Sequence, residues 1–342
     1  MNETVTIGIT MGDPAGVGPE LSLLAAARAT DRKDVRTVII GDLGRLEKAS
    51  AILAKQGRLD SEIRLHPVQN DEAPIQDVIS VLDLGNVPDD LPFGEVAAIS
   101  GRAAFDYVER AVALAMKGQI DAICTAPIHK KAWELAGVRY PGHTEALAKL
   151  SGSESYAMML KNQRLRVVHV TTHIPFSAII PALSVERIVG VVKLTDQYLQ
   201  QLGMHDHPIA LAGLNPHAGD GGLFGTEEAN LLAPAVQAAR AEGLNLIGPL
   251  PADTVFARGA AGEFAAVIAL YHDQGHIAIK MLGIDTGVNQ TIGLPLIRTS
   301  VDHGTAFDIA GRGIVHDESM RYALEAAIDD AMARKKLVKE IR

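Results

Sequence analysis

The chain has 342 residues, is 47% hydrophobic and 4% aromatic, and carries a net charge of −9. That length and apolar content suit about two globular domains with Ala/Val/Ile/Leu cores, and the negative balance with no basic run argues against nucleic acid as a partner. The single cysteine, Cys124, excludes an internal disulfide framework and fits a reducing, cytoplasmic setting.

No secretory n-region and h-region opens the sequence, and no run of 18 apolar residues predicts a membrane span. Val5 to Thr10 reads as a strand, followed by MGDPAGVGPE and an apolar helix from Leu21 to Ala29. Pro19 and Glu20 suit a helix start. This Gly/Pro loop either presents backbone N–H groups to an anion or is a tight turn. Residues 35–40 read as a strand, 43–55 as a helix, and 62–68 and 79–84 as short strands. Gly101 to Lys117 is an amphipathic helix with Ala104, Val108, Ala111, Val112 and Ala115 on one stripe. A strand over 122–126 leads into short helices broken by Gly137 and by Pro141-Gly142; Cys124 in this apolar strand reads as a buried structural thiol. His143 and Thr144 open a helix there, with Thr144 a candidate cap.

Residues 165–172 form a predicted strand that stops at His173, and 185–202 a helix. A strand over 208–214 stops at Asn215, Pro216 and His217, followed by the Gly-rich AGDGGLFG and a helix over 226–241 that Thr226 can cap. An apolar strand over 265–270 stops at Tyr271, His272 and Asp273. Lys280, Asn289, Arg298 and the run Ser300 to Thr305 follow, and a helix over 320–335 closes the chain. Strands alternating with helices predict an α/β fold with a mostly parallel sheet.

His173, His217 and His272 share one setting, each just beyond the end of an apolar strand. Ligands of open parallel sheets bind outside the carboxyl ends of strands. Three imidazoles there can hold a divalent metal and leave a position open for substrate. With twelve histidines in the chain, satisfied structural histidines are the alternative. Lys280 and Arg298 are candidate anion binders, as a compact charge and a bidentate fork; exposed surface charges are the alternative.

The ordered motifs MGDPAGVGPE, GHTEAL, TTHIP, NPHAGDGG, PADT, YHDQG, GVNQTIGLP and RTSVDHGTAFDIAG resemble the 4-hydroxythreonine-4-phosphate dehydrogenase family of vitamin B6 biosynthesis. The resemblance runs from the first strand to about Gly311. It implies two α/β/α domains with a cleft between, of the isocitrate/isopropylmalate-dehydrogenase kind. The implied boundaries are interleaved: 1–130 plus 300–342, and 131–299 with most of the ligands. It implies a homodimer in which one protomer lends a histidine to its neighbour's site. It also implies NAD (or NADP) and one divalent ion (Zn, Mg, Co or Mn). The implied metal ligands are His173, His217 and His272. The implied substrate contacts are His143, Thr144, Lys280, Asn289 and Arg298. Lys280 and Asp302 are candidates for the chemistry, and Asp253 and Asn289 for cofactor contacts.

The implied reaction is oxidation and decarboxylation of a 3-hydroxy acid, with 4-hydroxythreonine 4-phosphate or a close 4-phospho acid as substrate. Two departures, Leu223-Phe224 and His276-Ile277, resemble the family's catabolic branch. That branch includes dehydrogenases for threonate or erythronate 4-phosphate and for the cis-dihydrodiol of terephthalate. A phospho-ligand binding protein without catalysis, and a phosphoacyltransferase-like enzyme, are the readings from other classes.

Overall fold

The computed structural model describes residues 4–60, 63–69, 72, 74, 75, 78–204 and 206–341. Residue 62 of the expected third strand lies outside them. Along the chain come β1 (Val5–Thr10), α1 (Gly18–Ala29), β2 (Val35–Gly41), α2 (Leu43–Lys55), β3 (Leu65–Pro67), β4 (Ile79–Asp83), α3 (Ala98–Met116) and β5 (Ala122–Thr125). Next are α4 (Lys130–Leu135), α5 (His143–Leu150), β6 (Ala157–Lys161), β7 (Arg166–His169), α6 (Ile179–Ala182), α7 (Val185–Gln201) and β8 (Ile209–Ala212). The last are α8 (Ala233–Ala241), β9 (Leu246–Leu250), α9 (Ala252–Ala260), β10 (Ala266–Ala269), α10 (His272–Met281), β11 (Val288–Ile292), β12 (Ile297–Ser300) and α11 (Glu318–Ile341).

The chain forms two compact units, Met1–Glu154 with Leu294–Lys335, and Ser155–Gly293 with Lys336–Arg342. In the first unit the strand order is β3-β4-β2-β1-β5-β12, with every described pairing parallel. Residues 131–154 fall in this unit. There Gly101 of α3 lies so close to α4 that a β-carbon would sit 2.1 Å from the Ala132 carbonyl oxygen. Asp42 caps α2 through Oδ1, which accepts from the Arg45 N–H at 2.8 Å, while Oδ2 accepts from Val87 N–H at 3.1 Å.

The Gly/Pro loop after β1 is the tight turn, not an anion cradle. Residues 11–20 are all buried. The N–H groups of Asp13, Gly16 and Val17 are taken by the carbonyls of Pro127, Asp13 and Thr305, and that of Ala15 by Asp13 Oδ1. These donors are already spent inside the unit.

The second unit has the order β11-β6-β7-β10-β8-β9. Here β6 runs antiparallel to both β7 and β11, and the other pairs are parallel. Successive strand residues serve two cores, as the period-two alternation of strand side chains requires. Val168, Leu211 and Ile268 pack with Ile188, Val192 and Val236 on one face. Val167, Ala210 and Val267 pack with Val255, Phe256 and Ile279 on the other. This unit is therefore a helix–sheet–helix sandwich. Each buried Val, Leu or Ile contributes about 1.5–3 kcal/mol.

Two local expectations change. Gly142, not Thr144, is the N-cap of α5, and no side chain caps that helix. The expected helix over 226–241 is a wide π turn over Glu228–Leu232 running into α8.

Candidate functional site

The three singled-out histidines all follow strands of the second unit. His173 lies four residues beyond the end of β7, His217 five beyond β8, and His272 opens α10 three residues beyond β10. Parallel pairing of β7, β10 and β8 brings these ends to one side of the sheet. His173 and His217 are exposed and His272 is half-buried.

The His173 and His272 rings stand 5.4 Å apart, centroid to centroid. Two imidazoles sharing one ion at about 2.1 Å per nitrogen have centroids roughly 5 Å apart, so the spacing suits a pair of ligands. Asp273 Oδ1 lies 2.6 Å from His272 Nδ1. That contact holds the proton on Nδ1 and leaves the Nε2 lone pair available, the arrangement by which a carboxylate supports a metal-binding histidine. Among the described residues of a single chain, no group of three His, Cys, Asp or Glu side chains is placed to hold an ion. The expected three-histidine set is thus not assembled within one chain.

Behind His272 lies a support that sequence reasoning missed. His276, one turn along α10, stacks on His272 with centroids 3.6 Å apart and planes 13° apart. Its Nδ1 sits 3.2 Å from His169 Nε2 and 3.1 Å from the His272 carbonyl. His169 Nδ1 faces the Met158 carbonyl at 3.3 Å. A carbonyl only accepts, so His169 donates from Nδ1 and accepts at Nε2 from His276. Gly275 makes room for this chain of rings, since a β-carbon there would meet His169 Nε2 at 2.4 Å. The i, i+4 spacing of His272 and His276 was the available signal.

The other expected ligands of this unit are spread along it. Lys280 is exposed near the end of α10, and Asp253 is exposed in the first turn of α9. Asn289, half-buried on β11, has a buried Oδ1 with no hydrogen-bond partner among the described residues. Its Nδ2 lies 3.7 Å from Met158 Sδ.

The first unit carries the remaining candidates. Arg298 lies in the middle of β12 and is 2% exposed. Its Nε and Nη2 donate to Thr125 Oγ1 on the neighbouring β5 at 3.2 and 2.9 Å. Burial pulls its pKa down to about 10, which leaves it charged at neutral pH. His143 Nε2 is buried without a partner among the described residues. Burial first, and the positive charge of Arg298 second, hold this imidazole neutral. The Trp133 ring stands edge-on to it at 5.6 Å, and Trp133 Nε1 is also buried without a partner. Thr144 and Asp302 are half-buried, with the Asp302 N–H on Ser319 Oγ at 3.3 Å. Cys124 is buried and its thiol is pushed up to about 12 by burial, as suits an inert structural thiol. Trp133 and Thr125 escaped the sequence reading, although Trp133 is the only tryptophan in the chain.

Buried polar atoms in folded proteins almost always find a partner. Among the described residues, His143 Nε2, Trp133 Nε1 and Asn289 Oδ1 are orphans of this kind, as are buried polar atoms of Thr10, Glu20, Ser22, Arg36 and Arg166.

The histidines also set a pH response. Burial lowers the His169 pKa from 6.5 to about 3. Below pH 6.5 the unfolded chain takes up a proton that the folded state refuses. This contribution is complete above 6.5 and is lost as the pH falls toward 3. His143 acts in the same direction. The urea midpoint is expected to fall as pH drops from about 6.5 to 4, and to fall less in His169→Asn. Equal slopes in the two proteins would remove His169 as a cause.

A family model described as "Pyridoxal phosphate biosynthetic protein PdxA" matches residues 33–327. The chain is 47% identical over 331 residues to a D-threonate 4-phosphate dehydrogenase of Cupriavidus necator, covering 96% of this chain and 98% of that one. It is 44% identical over 322 residues to a 4-hydroxythreonine-4-phosphate dehydrogenase of Beijerinckia indica subsp. indica, covering 94% of each. The crystal structure of a 4-hydroxythreonine-4-phosphate dehydrogenase from Klebsiella pneumoniae superposes with a TM-score of 0.88 at 43% identity, covering 97% of this chain and 99% of that one. With its α/β architecture, this similarity makes the chain an oxidoreductase of the class acting on a CH–OH group. It belongs to the PdxA family.

Proposed function

We propose that the protein oxidises and decarboxylates a four-carbon 3-hydroxy acid carrying a 4-phosphate, using NAD and a divalent ion. D-threonate 4-phosphate stands first among the substrates and 4-hydroxythreonine 4-phosphate second. The observation that carries the reading is His143 Nε2, buried beside Arg298 with no partner among the described residues. The greater identity to the threonate enzyme of Cupriavidus necator and the Leu223-Phe224 and His276-Ile277 pairs favour threonate.

Arg298, held by Thr125, would bind a phosphate or carboxylate with a fork that burial keeps dry. His143, kept neutral beside it, adds a hydrogen bond without a second charge. Lys280 supplies a mobile ammonium. Asp302 is the candidate to take up the proton of the reacting hydroxyl, and the Lys280 ammonium the candidate to steady the oxygen it leaves. Loss of carbon dioxide follows because oxidation of the 3-hydroxyl leaves a β-keto acid. His173, His217 and His272 would hold the ion, and Asp253 and Asn289 would face the cofactor. When bound, the ion supplies Lewis acidity at the substrate oxygens, and the nicotinamide supplies the hydride acceptor.

The active form is a homodimer in which a histidine crosses from one protomer to its neighbour's site. The exposed large apolar side chains near the histidines support this. Ile174 and Phe176 flank His173, Leu223 and Phe224 follow His217, and Ile277, Met281 and Ile284 follow His272. Phe176 is 79% and Met281 81% exposed. Apolar groups gathered on one unit in this way mark a surface that a partner covers.

The test incubates the purified protein with NAD and Mg, Co or Zn. The substrates are the 4-phosphates of D-threonate, D-erythronate and hydroxythreonine, and the terephthalate dihydrodiol. NADH and carbon dioxide are expected in equal amounts, fastest with threonate 4-phosphate. Ligand binding without NADH would support the non-catalytic reading instead. A monomer by light scattering that is fully active at the same concentration would overturn the shared site.

A further inference from the structure

We propose that Glu228 is the positioning residue for His217, a clamp that holds the turn bearing this histidine in a left-handed conformation. The proposal rests on the reading of His217 as a metal ligand. His217, Ala218, Gly219, Asp220 and Gly221 have φ of 55, 53, 81, 42 and 65° in succession. Three of the five are not glycine, and each L-residue is disfavoured there by the clash of its β-carbon with the backbone. A run of this kind persists only where its surroundings over-determine it, and such strain gathers at functional sites.

Glu228 supplies that constraint. It is 7% exposed, at the start of the π turn Glu228–Leu232. Its Oε1 accepts from the N–H groups of Leu214 at 2.9 Å and Asn215 at 2.7 Å. Its Oε2 accepts from Asn215 Nδ2 at 2.9 Å. Burial alone would raise its pKa, but the bonds from Asn215 and Leu214 outweigh burial and lower it; the group is a carboxylate at neutral pH. One carboxylate thus ties down the backbone on the entry side of the turn. Asn215 passes the constraint on, since its carbonyl accepts from the Ala218 N–H at 3.1 Å and its Nδ2 also reaches Glu227 Oε2 at 2.8 Å. The turn packs directly on the clamp, because a β-carbon at Gly219 would lie 2.9 Å from Glu228 Oε2.

Among the described residues no hydrogen bond holds the His217 ring; its recorded neighbour is Phe224, with centroids 6.2 Å apart. The backbone of this turn therefore sets the position from which the imidazole is presented. Glu228 acts on the ion through that backbone, in the way outer groups tune metal ligands.

The experiment compares the full-length protein with His217→Ala, Glu228→Ala, Glu228→Gln and Gly219→Ala. Co(II) is the probe. Its affinity is measured by titration, and exchange of the peptide spanning 213–225 by hydrogen-exchange mass spectrometry. Glu228→Ala is expected to weaken Co(II) binding about 10- to 100-fold and to speed exchange across the turn about tenfold or more. Glu228→Gln keeps Oε1 as an acceptor for Leu214 and Asn215 and should recover part of both. Gly219→Ala should match Glu228→Ala from the other side of the contact. Wild-type Co(II) affinity in folded Glu228→Ala would overturn the clamp, even with a lowered melting temperature. Wild-type affinity in His217→Ala would instead bring down the metal reading of His217. Exchange in Glu228→Ala would then decide the clamp alone, faster exchange supporting it and unchanged exchange overturning it.

Discussion

Alanine at His272 is expected to lower kcat/KM by about 10²–10⁴-fold, the range for losing several kcal/mol of transition-state charge stabilisation. The bound divalent ion should fall with it. The imidazole stands 5.4 Å from His173, with its Nδ1 committed to Asp273 and its flat face on His276. Removing it deletes a ligand and the surface on which His276 rests. Asparagine at Asp273 should cost less, about 10- to 100-fold in metal affinity, because it leaves the ligand and loosens only its orientation. Metal content by elemental analysis and kcat/KM at saturating metal, measured on the same preparations, separate the two effects. Full metal content and activity in His272→Ala would remove His272 from the ligand set.

Alanine at Arg298 should reduce kcat/KM for a 4-phosphorylated substrate about 10- to 100-fold. A charge-assisted hydrogen bond is worth roughly 1.5–3 kcal/mol. The guanidinium is 2% exposed and leans on Thr125, so little entropy is lost when a substrate anion docks. A lysine at this position should not restore the rate, because a point charge lacks the planar fork. Comparing a phosphorylated with an unphosphorylated substrate assigns the group that is held. A loss confined to the phosphorylated substrate makes Arg298 a phosphate ligand, and an equal loss makes it a carboxylate ligand. An unchanged kcat/KM for both would show that the residue is only structural. Loss of folding is a separate outcome, read from the melting temperature, because Thr125 would lose its donor.

Strands β1, β2, β5, β8 and β10 were legible because most of their buried residues are apolar. Helices α2 and α7 were legible because an apolar stripe follows a capping residue, Asp42 and Ser184, each accepting a hydrogen bond from the first turn. Strands β11 and β12 escaped because their buried positions are polar. Gln290, Thr291, Arg298, Thr299 and Ser300 are all buried, so the apolar alternation that announces a strand is missing. Helix α10 was hidden by Gly275 and two histidines, poor helix formers. Strand β6 is short and antiparallel to both neighbours, a pairing that the alternation of strands and helices does not announce. The anion reading of the Gly/Pro loop failed for a different reason. Glycine spacing shows that a backbone can turn tightly, but not whether its N–H groups end up facing a ligand or Pro127 and Thr305.

The sequence by itself determined the α/β class, the family and the identities of the candidate ligands. The class follows from the alternation of strands and helices, and the three histidines from a strand end followed by a histidine and a turn, repeated three times; the family and the other candidate ligands follow from the resemblance carried by the ordered motifs. Only the tertiary structure decided what surrounds them. Folding supplies the burial of Arg298 against Thr125, the orphaned nitrogen of His143 beside Trp133, and the His169 ring behind His276; only the spacing of His272 and His276 was already in the sequence. The left-handed turn at His217 also belongs here. Nothing in the string NPHAGDGG specifies six successive positive φ angles; they depend on a carboxylate eleven residues from His217 that becomes a buried acceptor only when the π turn carries it under the loop. Side-chain type is written in the sequence, but direction, burial and protonation are set by neighbours that only folding brings together.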